Sequence, residues 1–184
     1  KISYHPSIPN MIFIATSKGV YRSDDNLATW TVVQSNEFMR VVDFHPTNPS
    51  IVYTHGFSAR DTIFVSTDSG LTFTPTTIPG AGFGKMVTSK ICPNCLYFFT
   101  FSGLYKSINN GVTFTLISNP VSMGGVDYNG FSVSDLNDSI MLSGYLDAYV
   151  STDGGLNFSQ VTEWFLGDAN GVGNGFEALY NTSS

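Results

Sequence analysis

The stretch Ser66-Thr67-Asp68-Ser69-Gly70-Leu71-Thr72-Phe73 has three counterparts that align with it without gaps. These are Ser23-Asp24-Asp25-Asn26-Leu27-Ala28-Thr29-Trp30, Ser107-Ile108-Asn109-Asn110-Gly111-Val112-Thr113-Phe114 and Ser151-Thr152-Asp153-Gly154-Gly155-Leu156-Asn157-Phe158. Their leading serines stand 43, 41 and 44 residues apart. A unit slightly over forty residues long is the length of a four-stranded propeller blade.

The same physical logic runs through each box. A strand rich in β-branched and aromatic residues precedes it: Gly19 to Arg22, Thr62 to Val65, Gly103 to Lys106 and Asp147 to Val150. Asp25, Asp68, Asn109 or Asp153 is expected to fold its side chain onto nearby backbone N–H groups, as in an Asx-turn. Gly70, Gly111 and Gly155 then supply the positive φ that other residues resist, and the chain reverses. The first box carries Leu27 at that position, so its turn is expected to be strained or differently shaped. Trp30, Phe73, Phe114 and Phe158 are expected to start the returning strand and to pack against the hairpin.

A second repeated feature lies upstream. Ile2-Ser3-Tyr4-His5-Pro6 recurs as Val42-Asp43-Phe44-His45-Pro46, each followed by a polar turn and then a hydrophobic strand. Weaker versions run from Met86 to Asn94 and from Phe131 to Asp138, ahead of the strands 96–99 and 140–143. The unit therefore reads strand, polar turn, strand, loop, strand, box turn, strand. Repeats fall at about 1–40, 41–85, 86–129 and 130–162, and 163–184 reads as a further blade starting or as a tail.

Composition agrees with this reading. Of 184 residues only 12% are charged and 14% are aromatic, with 18 glycines and 8 prolines spread throughout, which excludes a helix bundle, a coiled coil or a charged disordered chain. The net charge of −6 and the lack of a cationic cluster argue against nucleic acid as a partner. No apolar run approaches the about 18 to 20 residues that span a bilayer. The chain opens on Lys1 without a signal-peptide pattern, so it reads as a mature form or a piece of a longer protein.

Cys92 and Cys95 are the only cysteines, in Ile91-Cys92-Pro93-Asn94-Cys95. A structural zinc would need four ligands, and a thioredoxin-like site would need a helix after the motif, whereas both flanks read as strands. A local disulfide across a turn is the preferred reading over a redox site. Three Asn-x-Ser triplets, at Asn137, Asn157 and Asn181, together with few lysines point to an extracellular or secretory-pathway setting.

The boxes resemble the Asp-box, or BNR, repeat of sialidases, xyloglucan-active endoglucanases and sortilin-type sorting receptors. The resemblance covers residues 1 to about 160. With the His-Pro turn and the Gly-Val-Tyr-Arg-Ser strand, it is most similar to the sortilin-type and xyloglucanase-type propellers. It implies an all-β propeller of four-stranded blades, about four of them here, as part of a larger ring.

Function is far less constrained, because one scaffold hosts unrelated activities. Sialidases resemble one another in a triad of clamping arginines, and this chain has three arginines in all, Arg22, Arg40 and Arg60, of which Arg22 abuts a box. Glycoside hydrolysis needs two carboxylates across a cleft. Outside the boxes the candidate acids are Asp43, Asp61, Asp127, Asp135, Asp147, Asp168, Glu37, Glu163 and Glu177, and no pair stands out; Asp127, Asp147 and Asp168 are the candidates if the protein is a hydrolase. Box aspartates lie forty residues apart on separate blades, so they cannot share a calcium ion, and no metal or cofactor is expected. His5 and His45 are repeat features rather than a metal pair.

What remains is recognition of a protein, peptide or glycan by loops. Phe57, Arg60, Phe83, Tyr128 and Trp164 are the candidate contacts, with packing between blades as the competing role. The leading expectation is a non-catalytic ligand-binding propeller of the sortilin-like kind. The alternative is a carbohydrate-active propeller of the xyloglucanase kind, and a purely structural surface protein stays open.

Overall fold

A computed structural model of the chain describes residues 1–35, 38–57, 60–82, 84–119, 130–144 and 148–161. Among them there is no helix. Sixteen strands form four antiparallel four-stranded sheets, each built from consecutive strands. Blade 1 comprises β1 (Ile2–Tyr4), β2 (Ile12–Thr16), β3 (Gly19–Ser23) and β4 (Thr31–Gln34). Blade 2 comprises β5 (Met39–Phe44), β6 (Val52–Gly56), β7 (Thr62–Ser66) and β8 (Thr74–Thr77). Blade 3 comprises β9 (Gly84–Thr88), β10 (Leu96–Thr100), β11 (Leu104–Ser107) and β12 (Thr115–Ser118). Blade 4 comprises β13 (Gly130–Val133), β14 (Met141–Gly144), β15 (Ala148–Ser151) and β16 (Ser159–Gln160). The second and third blades thus begin at 39 and 84, each two residues ahead of the boundary read from the repeats.

The core lies between sheets. Three apolar clusters fill the three seams, since each strand alternates its side chains between two neighbours. Phe13, Val20, Val42, Val52 and Phe64 join blades 1 and 2. Tyr53, Ile63, Met86, Leu96 and Phe98 join blades 2 and 3. Tyr97, Phe99, Leu104, Phe131 and Met141 join blades 3 and 4, with Phe99 and Phe131 stacked at 4.8 Å. Strands buried on both faces have no room for charge. β6 and β10 are buried at every position, which accounts for the low charged fraction.

The box aromatics reach beyond their own hairpins. Phe73, Phe114 and Phe158 pack into clusters that join residues of their own blade, among them Phe64, Tyr105 and Tyr149, to the preceding blade. Trp30, on the first blade, is 38% exposed. Among the described residues blade 1 has no contact with blade 4 comparable to those between neighbours, so the four described sheets follow one another along an arc.

Candidate functional site

Strand order gives the arc two ends with different chemistry. The box turns and the polar turns that follow β1, β5, β9 and β13 share one end. The β2–β3, β6–β7 and β10–β11 loops and the described parts of the connectors after β4 and β8 share the other.

The box end is a network of repeated hydrogen bonds. In the second box Ser66 Oγ donates to Asp68 Oδ1 at 2.7 Å and accepts from the Gly70 N–H at 2.8 Å. Asp68 also accepts from the Leu71 N–H at 3.0 Å, the Thr72 N–H at 2.9 Å and the Thr72 hydroxyl at 2.6 Å. Ser23 with Asp25, Ser107 with Asn109 and Ser151 with Asp153 repeat the serine contact at 2.8 to 2.9 Å. In the third box the direction of one bond reverses, Asn109 Nδ2 donating to the Thr113 hydroxyl. Burial would raise the Asp68 carboxyl, but the bonds from Thr72, Ser66 and Leu71 outweigh it and hold it at about 2. Asp153 is likewise held at about 2, by the backbone and side chain of Asn157 and then by Ser151. The Thr29 hydroxyl and N–H lower Asp25 in the same way.

The fourth residue of each box donates its N–H to a carbonyl of the polar turn in the same blade: Asn26 to Asn10, Ser69 to Ser50, Asn110 to Asn94 and Gly154 to Ser139. The His-Pro turns brace this junction. His5 Nδ1 accepts the N–H groups of Ser7 and Ile8, and His45 Nδ1 those of Thr47 and Asn48. With Nδ1 as acceptor, each imidazole is neutral and carries its proton on Nε2. The His45 Nε2 faces Asn94 Oδ1 of the next blade at 3.4 Å. Burial pushes His5 below the usual histidine range.

Cys92 and Cys95 form a disulfide within this end, with S–S 2.03 Å and Cα–Cα 5.2 Å. Asp138 of blade 4 lies beside it, and its carboxylate accepts from Ser89 Oγ and from the Tyr97 hydroxyl. The three groups lie within 4.8 Å of one another, but sulfurs joined to each other offer no thiolate to a metal.

Leu27 adopts the same turn as its glycine counterparts instead of a different one. Its φ is +75°, against +79° at Gly70, +81° at Gly111 and +88° at Gly155. The strain expected of it is therefore present, and the altered shape is not. Its N–H donates to Ser23 Oγ as the glycine N–H groups do.

The loop end gathers exposed aromatic and cationic groups at blade 2. The Arg60 guanidinium carbon lies 4.5 Å from the Phe57 ring centroid, and that of Arg40 5.6 Å from it. Both arginines are exposed and Phe57 is half-buried. A β-bulge between Met39 and Val41 leaves Arg40 out of the β5–β6 ladder and re-aims its side chain. Phe57 is fixed through its N–H to the Phe38 carbonyl at 2.8 Å, and Phe38, at φ +52° and exposed, donates in turn to Ser17 of blade 1. Beneath them His55 is buried, with Nδ1 2.9 Å from the Thr62 carbonyl and its ring edge-on to Phe98. Burial lowers its pKa, with Arg40 acting in the same direction, so it is neutral. Further round this end, the Ser102 hydroxyl reaches the Gly80 and Ala81 carbonyls, and Phe101 is exposed.

Two sequence candidates, Phe57 and Arg60, are thus brought together. Arg40 and Phe38 complete the cluster, and nothing in the repeat spacing marked either; the signal for Arg40 is a bulge that only the ladder register reveals. Phe83, Tyr128 and Trp164 lie outside the described residues, as do Asp127, Asp147, Asp168, Glu37, Glu163 and Glu177. The described acids outside the boxes have local partners, Asp43 with Lys1, Asp61 with Thr62 and Asp135 with Lys90, besides Asp138, and within the first box Asp24 pairs with Arg22. Arg22 is buried in the first seam, where it also donates to the Ser69 carbonyl.

No family model matches the sequence, and no curated protein matches it. Solved structures do resemble the fold. An ancestral GH74 enzyme superposes with a TM-score of 0.72 at 18% identity, over 88% of this chain and 25% of its own length. The GH74 xyloglucanase from Xanthomonas campestris superposes at 0.63 and 16% identity, over 89% of this chain and 30% of its own. YCF48 from Cyanidioschyzon merolae superposes at 0.60 and 16% identity, over 86% and 54%. The fold is a β-propeller of the kind found in the xyloglucanases, and the chain spans about a quarter to a third of the GH74 structures.

Proposed function

We propose that this chain is part of a glycan-recognising propeller that takes its ligand across the loop end. The observation carrying this reading is the convergence of Arg40 and Arg60 on Phe57 at an exposed rim. A sugar offers apolar C–H faces and a periphery of hydroxyls. An aromatic ring edged by guanidinium donors fits both, the ring by contact with the C–H face and the guanidinium by hydrogen bonds to hydroxyl oxygens. The likeness to GH74 propellers supports this carbohydrate reading over the sorting-receptor one, which the structures above do not favour. A disulfide at the box end suits an extracellular or lumenal setting.

Affinity electrophoresis through gels containing xyloglucan tests the proposal. The native chain is expected to be retarded, and Phe57→Ala and Arg60→Ala to migrate as in a gel without polysaccharide. Equal migration of the native chain in both gels would reject it. A hydrolytic role is a further branch of this reading, and its candidates are Asp127, Asp147 and Asp168. Release of reducing ends that survives Asn at all three would remove them.

A further inference from the structure

The disulfide turn of blade 3 shares its hydrogen bonds with the polar turns of the other blades. Cys95 donates its N–H to the Cys92 carbonyl at 2.7 Å, and Met11 to Ile8, Ile51 to Asn48 and Ile140 to Asn137 make the same bond at 2.9 to 3.0 Å with no cysteine present. The Asn110 N–H closes on the Asn94 carbonyl at 3.0 Å, as its counterparts do in their own blades. Backbone bonds therefore hold this turn, and opening the disulfide leaves both sulfurs where they stand.

Opposite the sulfurs, the polar turn of blade 4 carries Asp138 at the position held by Pro9, Pro49 and Pro93 in the other three. An acid replaces proline only in the turn that faces the cysteines. The two Sγ atoms and a carboxylate oxygen of Asp138 lie within 4.8 Å of one another. Two donors orient the carboxylate: Ser89 Oγ, which itself accepts the Cys92 N–H at 3.0 Å, and the Tyr97 hydroxyl at 3.4 Å. A carboxylate has about four lone-pair sites, so it retains capacity for a further partner. Cys95 is 2% exposed, whereas Cys92 and Asp138 are half-buried, which leaves solvent a way in.

The geometry points to a redox-gated metal site: once the disulfide is reduced, Cys92, Cys95 and Asp138 bind one zinc-like ion and tie blade 3 to blade 4. Reduction breaks the S–S bond with two electrons and adds two protons; a dithiol leaves as its disulfide, and a phosphine as its oxide, with the oxygen and both protons drawn from water. The ion then displaces one proton from each thiol. Two thiolates select zinc, cadmium or cobalt over calcium or magnesium. Bonds of about 2.3 Å to sulfur and about 2.0–2.2 Å to oxygen set tetrahedral ligands about 3.5–3.8 Å apart, within the spread of these three atoms. Water takes the fourth position, so the ion is exchangeable, unlike one closed in by four side chains. Ser89 and Tyr97 stand behind Asp138 as the partners of a metal ligand ordinarily do. None of this depends on the glycan reading.

Cobalt(II) titration of the phosphine-reduced chain tests the site, followed by thiolate-to-cobalt charge-transfer absorption and by circular dichroism. One equivalent is expected to bind the reduced chain with its native circular dichroism kept, to be displaced by zinc, and not to bind the oxidised chain. Asp138→Asn is expected to weaken binding about 10–100-fold, and Cys92→Ser/Cys95→Ser to abolish it. A reduced chain that binds no stoichiometric cobalt would overturn the inference. So would equal affinity in Asp138→Asn, equal binding by the oxidised chain or the double serine variant, or loss of native circular dichroism on reduction, since Asp138 would then not stand beside the thiols.

Discussion

Replacing Asp68 by alanine leaves the Ser66 hydroxyl, the Leu71 and Thr72 N–H groups and the Thr72 hydroxyl without their acceptor. A single capping side chain of this type contributes about 1 kcal/mol. The fall of the carboxyl from 3.8 to about 2 corresponds to roughly 2.4 kcal/mol of preference for the ionised form, and screening by water at this partly exposed site reduces it to about 1–2 kcal/mol. The expected loss is therefore about 2 kcal/mol, or about 4–8 °C in Tm for a chain of this size. Because the folded pKa is depressed, the stability tied to ionisation is complete above 3.8 and is lost as pH falls from 3.8 through about 2. Asp68→Asn should cost less, since Asn109 holds the third box with the same acceptor geometry, and it should flatten that acid limb. Urea unfolding followed by circular dichroism at pH 7 and across pH 2 to 5 measures both effects. Asp135→Ala serves as the comparison, because its pair with Lys90 is exposed and should contribute under about 0.5 kcal/mol. If Asp68→Ala cost no more than Asp135→Ala, the box would not be the structural brace described above.

Gly70→Ala places a Cβ against the Phe13 ring at φ +79°, and a loss of about 2–3 kcal/mol in the same urea assay is expected. His5 is neutral and accepts two N–H groups, and its pKa lies below 6.5, so its contribution is complete above pH 6.5 and is lost as pH falls through the lowered folded value; the drop in Tm between pH 7 and pH 5 should shrink in His5→Asn. Reducing Cys92–Cys95 opens a four-residue loop, for which chain entropy gives about 2 kcal/mol, so a dithiol reductant should lower Tm by about 4–8 °C and leave a Cys92→Ser/Cys95→Ser variant unmoved.

Much of the fold was legible because its determinants are local and repeated. Serine, aspartate and glycine at fixed offsets satisfy one another within a single turn, so the boxes and their spacing locate every β3–β4-type hairpin. What spacing could not convey lies between repeats. Phe73, Phe114 and Phe158 look in sequence like hairpin residues, yet part of the packing around them comes from the previous blade, some forty residues away. Leu27 reads as a turn of another shape, whereas the bonds made by Ser23 and Asp25 hold the same shape against the preference of leucine. At the loop end, Phe57 and Arg60 could be singled out as an aromatic and a cation in one loop. Arg40 could not, because a strand bulge rather than a motif turns it toward Phe57.

The box end of the arc is braced by its hydrogen bonds, and the loop end is the proposed recognition surface. Amide chemical-shift mapping of the isotope-labelled chain, titrated with xyloglucan oligosaccharides, tests that division most directly. Shifts are predicted at residues 38, 40, 57, 60 and 101–103, with Ser66 to Phe73 and Cys92 to Cys95 unmoved. Shifts concentrated on the boxes and the disulfide turn, or none anywhere at saturating oligosaccharide, would contradict it.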